Sequence, residues 1–275
     1  VTDITFVKTR HQYDSYNDFF HLVELSDFPT IYTDEVDITT PGVFIVCPMN
    51  GEWRPHIDNQ QDKIRNAHLI LWNLERPSGS AGAIGKYGQS NREMIYKRQL
   101  DEVWVSDRRL AEETSLRFVP LGSDEGLGEP GSDKQYDFCH MSYEVPRRTH
   151  IYKHFKNIGP NAWPPDRDEI LKRSKFAVNV HQDVHPFQEP LRFALFAAYG
   201  LPIISEEIYD SFPWSEDYMA YADFDGLPGK IKAALKDDYQ QWRDVGLIAR
   251  QRMCYDFQFG KVVREAVEQS VGVWR

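Results

Sequence analysis

Positive charge is in short supply in this chain: 32 Lys and Arg stand against 42 Asp and Glu, a formal net charge of −10 over 275 residues. That balance argues against a broad electrostatic footprint for nucleic acid, while a local basic channel stays compatible with it. Cysteine is scarcer still. Cys47, Cys139 and Cys254 stand far apart and match no metal or redox spacing; Cys47 and Cys139 end apolar runs and read as buried thiols in a reducing compartment. No apolar run approaches the length of a transmembrane helix, and no signal-peptide pattern is visible, so a cytoplasmic protein is expected. Phosphate-loop glycines are missing as well. The stretch Gly79 to Gly88, GSAGAIGKYG, has Ser80 where a P-loop needs glycine and Tyr87 where it needs Ser or Thr. The Gly-x-Gly-x-x-Gly spacing of nicotinamide dehydrogenases is absent too, and a mobile loop beside the site is the expectation for this stretch.

Aromatic residues are abundant, with 7 Trp, 14 Tyr and 16 Phe. That is enough for substantial cores, in one large α/β domain or two of ordinary size. Residues 1–122 alternate strand and helix patterns. Strands are expected at Ile4 to Lys8, Val43 to Cys47, His68 to Leu74, Glu102 to Ser106 and Arg117 to Leu121. Helices are expected at Asp58 to Ala67, at Asn91 to Leu100 and after the cap Asp107. Such alternation implies a mostly parallel sheet. SDEGLGEPGSDKQ, residues 123–135, holds four Gly or Pro in thirteen positions with almost no apolar residues, and reads as a linker. A second α/β series fills 136–258, and a helix near Phe259 to Val271 closes the chain.

The most informative segment is KFAVNVHQDVHPFQEPLRFALFAAYGLPIISE, Lys175 to Glu206. It reads as a buried strand, a polar loop, a helix from Glu189 to Tyr199, a glycine stop at Gly200 and a second buried strand. Two short β-rich runs joined through a helix make a parallel βαβ unit. Its loop lies at the carboxyl end of a strand and runs into a helix N-terminus, where open α/β sheets bind ligands and phosphate is favoured.

Glu189, Arg192, Gly200, Pro202, Ser205 and Glu206 together resemble the nucleotide-sugar half of retaining GT-B glycosyltransferases, the group 1 or family 4-like set. Many relatives place a second Glu in the middle of the helix for the ribose hydroxyls; this chain has Leu195 there. The resemblance extends over roughly the whole chain. It implies an α/β protein of two Rossmann-like domains with a cleft between them. Residues 1–122 would hold the acceptor and 136–258 the nucleotide sugar, with 259–275 a helix crossing back to the first domain. The implied activity is transfer of a sugar from a nucleotide-diphosphate sugar with retention of configuration, without metal or other cofactor. Glycan, lipid, protein and modified nucleic acid all stay open as acceptor. A non-catalytic nucleotide- or carbohydrate-binding protein on the same scaffold is the alternative.

Candidate residues follow from position and chemistry. Glu189 at the loop mouth either holds the donor sugar or simply caps the helix. Arg192, three residues on, shares its face; it either neutralises a diphosphate or pairs with Glu189. Arg147 and Arg148 open a helix after Pro146, where cations oppose the macrodipole unless an anion is bound; Lys153 is a third cation in that region. His181, Asp183 and His185 have the residue types of a metal set, but a loop would have to converge them, and His181 is read instead as a contact to donor sugar or phosphate. In the first half, Asn73 and Glu75 leave a strand end that is similar to one in related glycosyltransferases. Glu75 is the candidate for acceptor contact or general-base help, and Gly51 for close backbone approach of a ligand.

Overall fold

In the computed structural model the described residues are 3–10, 17–47, 53–60, 62–74, 83–97, 99–162, 166–183, 185–214 and 218–272. The chain divides into two compact units, one of Val1–Pro120 with Phe259–Arg275, the other of Leu121–Gln258. Among the described residues no helix is long and apolar enough to cross a membrane.

The first unit is built on a six-stranded parallel sheet. Its strands are β1 (Ile4–Lys8), β2 (Thr30–Tyr32), β3 (Gly42–Val46), β4 (Ala67–Asn73), β5 (Glu102–Val105) and β6 (Arg117–Phe118), in the order β2-β1-β3-β4-β5-β6. β3 and β4 are buried almost throughout, as strands covered on both faces must be, which is why they read as unbroken apolar runs. Helices α1 (Asn17–Leu25), α2 (Trp53–Asp58), α3 (Ala83–Tyr96) and α4 (Arg108–Thr114) connect them. Asp107 caps α4, its carboxylate accepting from Leu110 N at 2.8 Å. The last helix, here α10 (Phe259–Gly272), packs in this unit. Phe259 lies flat on Trp72, with ring centroids 5.7 Å apart, and edge-on to Phe19. Arg117 donates to Ala266 O and to Gln269 Oε1, each at 3.0 Å.

The second unit carries a five-stranded parallel sheet. It is formed by β7 (Tyr136–His140), β8 (Ile158–Asn161), β9 (Ser174–Asn179), β10 (Ile203–Glu206) and β11 (Met219–Ala222), in the order β11-β10-β9-β7-β8. Around it stand α5 (Pro146–Tyr152), α6 (Arg167–Lys172), α7 (Pro190–Ala198), α8 (Leu227–Ala234) and α9 (Tyr239–Gln251). Phe138, Phe176, Val178 and Ile204 of the sheet pack with Ile151 of α5 and Leu227 and Ile231 of α8 in one apolar cluster. Gly200 takes φ +61 just past α7, the left-handed stop that only glycine adopts without cost, and a Cβ there would meet Pro130 at 3.0 Å.

Several sequence expectations need correction. The glycine-bearing residues 83–88 are helical, because α3 begins at Ala83; neither glycine in that turn interrupts the backbone hydrogen bonding. The helix expected at Asp58 to Ala67 lies earlier, as α2, and Ala67 already belongs to β4. The turn-rich segment 123–135 is held on the second unit. Ser123 Oγ donates to Ala194 O at 2.9 Å, Asp124 caps a single 3-10 turn, and a Cβ on Gly131 would sit 2.2 Å from Lys172 O. Its polarity reflects hydrogen bonding to neighbouring backbone, a use of Gly, Asp and Ser that mimics a linker in sequence.

Candidate active site

β7, β9 and β10 run parallel, so their carboxyl ends lie on one edge of the second sheet, and the loops that leave them gather polar residues there. After β9 the chain passes His181 and Gln188 before entering α7. That helix, PLRFALFAA, is buried from Phe193 to Ala198. Its apolar face anchors the first turn, where Pro190 occupies N1 and Glu189 the N-cap.

Glu189 makes no side-chain cap bond. Its carboxylate is turned to two guanidinium groups instead. One oxygen is 3.5 Å from Nη2 of Arg148 and the other is bonded to Nη1 of Arg192. Arg192 Nη1 also donates to Asn179 Oδ1 at 2.5 Å, and Asn179 Nδ2 to Ser205 Oγ at 3.1 Å. Thus the intrahelical pair between Glu189 and Arg192 is formed, within a wider network that joins β9, β10 and α7.

Arg147 and Arg148 are adjacent in sequence and differ in setting. Arg148, 2% exposed, donates from Nε to Val180 O at 2.8 Å and from Nη1 to Tyr143 O at 3.0 Å. It pins the loop before α5 to the end of β9. Arg147 stacks on Phe224, 3.8 Å from the ring centroid, and bonds through Nη2 to Glu206. The other oxygen of Glu206 accepts from His181 N at 3.0 Å. One carboxylate at the end of β10 therefore orients both the α5 arginine and the loop after β9.

Two buried donors in this cluster, Nε of Arg147 and Nε of Arg192, meet no acceptor among the described residues. A buried unsatisfied donor costs about 1–3 kcal/mol, more when charged, and an anion at this edge would relieve both. His181 is 1% exposed and its Nε2 faces Glu207 O at 2.8 Å, so a contact from its ring to a sugar would run through Nδ1. Asp183 accepts from His185 N at 2.9 Å in a tight turn. Among the described residues no three His, Cys, Asp or Glu are grouped as metal ligands.

Lys153 stands apart from this cluster. It is the C-cap of α5, at the far end from Arg147, exposed and 3.2 Å from His150 Nδ1. Six residues of helical rise carry it about 9 Å along the axis. Glu75 and Gly51 lie outside the described residues, while Asn73, at the end of β4, donates from Nδ2 to Asn91 Oδ1 at 3.2 Å.

Sequence reasoning missed His140, the last residue of β7. Its ring stacks on Tyr152 with centroids 4.3 Å apart, and Nδ1 lies 3.1 Å from Ser142 Oγ. Ser142 is tied through its backbone to both ends of the Asn161 amide, at 3.0 and 2.6 Å. Burial, then Arg192 and Arg148, pushes His140 down to about 4 from 6.5, and burial pushes Tyr152 up to about 12. A histidine ending an apolar strand was the available signal, and it is shared by many histidines of no consequence.

His140 is therefore neutral near pH 7. Because its folded pKa is depressed, the unfolded chain binds more protons between about pH 6.5 and 4, and stability falls as pH drops through that window. The shift corresponds to a loss of up to about 3 kcal/mol. Urea midpoints measured at pH 7 and pH 4.5 should drop less in His140→Gln than in the parent. An identical drop in both would show that His140 contributes nothing to the acid sensitivity.

Residues 138–268 match the family described as glycosyl transferase-like. Over the whole chain the fold is similar to that of a DNA-modifying β-glucosyltransferase, whose structure was solved in the presence and absence of its substrate uridine diphosphoglucose. The TM-score is 0.56 at 10% identity, covering 98% of this chain and 99% of that one. No curated protein sequence matches the chain. The chain therefore has the GT-B fold, and its second unit carries a region that matches the glycosyl transferase-like family.

Proposed function

We propose that the chain transfers a sugar from a nucleotide-diphosphate sugar with retention of configuration and without a bound metal, and that the arginine cluster of the second unit takes the diphosphate. The observation that carries this reading is the pair of buried, unmet guanidinium donors on Arg147 and Arg192 beside the N-terminus of α7. Loss of a nucleoside diphosphate requires stabilisation of developing negative charge, which preoriented cations supply best in a site shielded from water. Arg147 and Arg192 would meet that need, with Arg148, tied to Val180 O and Tyr143 O, adding buried positive charge behind them. Glu189, and His181 through its ring, would position the sugar and steady its oxocarbenium-like character. The signature Glu189, Arg192, Gly200, Pro202, Ser205 and Glu206 supports retention by resemblance. Glu75 is assigned to acceptor contact or general-base help by resemblance, and Gly51 to the nucleotide sugar, where glycine permits close backbone approach.

The test is release of nucleoside diphosphate from a panel of sugar nucleotides, beginning with uridine diphosphoglucose, with EDTA present and absent. We expect turnover that EDTA leaves unchanged, and a product whose anomeric configuration by NMR is that of the donor. Inverted product would overturn retention, and EDTA-sensitive turnover would overturn metal independence. Binding of nucleotide without release from any donor, water serving as acceptor, would favour a binding protein on this scaffold.

A further inference from the structure

The scarce positive charge of the chain is not spread evenly. From Val145 to Pro165 there are four Lys or Arg and no Asp or Glu, and from Gly226 to Lys236 there are three Lys and again no acid. The tertiary structure brings these stretches together in the second unit, since Ile151 of α5 and Ile231 of α8 share one apolar cluster and Phe155 packs against it. Lys232 Nζ lies 5.9 Å from the Phe155 ring centroid, and Lys153 Nζ lies 3.2 Å from His150 Nδ1. His150 and His154 meet edge to face at 5.9 Å. Burial holds the His154 pKa below its usual range, and Lys232, Lys153 and His150 push it the same way.

Four lysines elsewhere in the chain are matched by acids, while Lys8 lies over the Phe20 and Tyr32 rings and Lys134 donates to Lys172 O. Lys172 is 2.7 Å from Glu129, Lys175 3.0 Å from Asp137, Lys63 3.8 Å from Asp37 and Lys97 4.0 Å from Glu93. Lys153, Lys156, Lys230, Lys232 and Lys236 are all exposed, and among the described residues none forms such a pair. Three of the nearby acids are engaged with the backbone or a ring: Asp223 accepts from Gly226 N, Asp238 caps α9, and Asp237 accepts from Trp242 Nε1. Concentrating unpaired like charges costs folding free energy unless a partner uses them.

From this we infer that the α5–α8 face binds the phosphodiester backbone of a nucleic acid. Stable attachment to an anionic membrane adds apolar side chains that enter the lipid. Among the described residues the large exposed apolar ones are Ile64, Tyr96, Tyr143, Tyr209, Ile248 and Tyr255, and none falls within 145–162 or 226–236. A surface of exposed lysines with no apolar wedge among the described residues suits a regularly charged polymer, contacted through its phosphates without sequence preference. The negative remainder of the chain would confine the polymer to this face. The inference stands independently of the donor reading, because binding is measured without sugar transfer.

The experiment is fluorescence anisotropy of the full chain with a mixed-sequence duplex DNA oligonucleotide, at salt from about 50 to 200 mM. We expect binding that weakens steeply with salt. Lys153→Glu/Lys156→Glu/Lys232→Glu should weaken it at least tenfold and flatten the log–log salt slope by about 2–3, since each phosphate contact contributes about 0.9. Lys63→Glu/Lys97→Glu, in the first unit, should leave it unchanged. A Gln triple at the same three positions, checked by thermal melting, keeps the comparison valid if the Glu triple folds poorly. Absence of binding at low salt, equal binding by the triple variants, or a preference for phosphatidylcholine–phosphatidylserine vesicles over the duplex would each overturn the inference.

Discussion

Glu189→Gln should lower kcat at least tenfold, about 1.4 kcal/mol of barrier, while nucleoside diphosphate affinity is kept or raised. The reason lies in what the carboxylate faces. It is shared by Arg148 and Arg192, whose side chains are only 2% and 14% exposed. The amide keeps the size and one acceptor but removes the charge, so two largely buried cations are left with neutral partners, namely Val180 O, Tyr143 O and Asn179 Oδ1. Removing one partner of a buried pair costs about 3–5 kcal/mol, and retention of a hydrogen bond by Gln should hold the loss at or below the low end. A bound diphosphate restores the missing negative charge. The variant's melting temperature should therefore rise more on adding nucleoside diphosphate than the parent's does. Turnover should fall nonetheless, because an interaction made mainly in the transition state appears in kcat and kcat/KM together. Near-normal turnover by a folded variant would reduce Glu189 to a counter-ion for the arginines.

Arg147→Ala and Arg148→Ala should separate binding from stability, although the two residues are neighbours. Arg147 lies on Phe224 and keeps a buried donor unmet, so its loss should weaken nucleoside diphosphate binding about 10- to 100-fold, the equivalent of about 1.5–3 kcal/mol for a charge-assisted hydrogen bond. Its own pair with Glu206 is 23% exposed on the arginine side, so the stability loss should stay near 1–2 kcal/mol. Arg148 is a structural tie. Its removal strips donors from two carbonyls, leaves Glu189 with one cation and opens a cavity, for a stability loss of about 3–5 kcal/mol. Isothermal titration with nucleoside diphosphates, run beside urea unfolding, reads both quantities. Unchanged nucleotide affinity in Arg147→Ala would remove that residue from the site, and an unaltered urea midpoint in Arg148→Ala would contradict its role as a tie.

Apolar runs and their punctuation were enough to reveal the alternating α/β pattern, because a strand buried on both faces and a capped helix each leave a local mark. Val43 to Cys47, Glu102 to Ser106 and the whole of Lys175 to Glu206 were legible for that reason, down to the left-handed stop at Gly200. Short edge strands such as β2, β8 and β11 carried too few residues to show a period. α3 was hidden by glycines that its hydrogen bonds tolerate. The identity of the arginines and of Glu189 was visible in sequence, but their division of labour was not. Which guanidinium is sealed against Val180 O and which lies on Phe224 depends on contacts 32 residues away in one case and on a ring beyond β11 in the other. Lys153 looked like a companion of Arg147 until helix geometry set it at the opposite end of α5, among cations from α8 that no local pattern connects to it. Local propensity acts over a few residues, whereas the electrostatics of a site sum over every group that folding brings near, and that sum exists only in the tertiary structure.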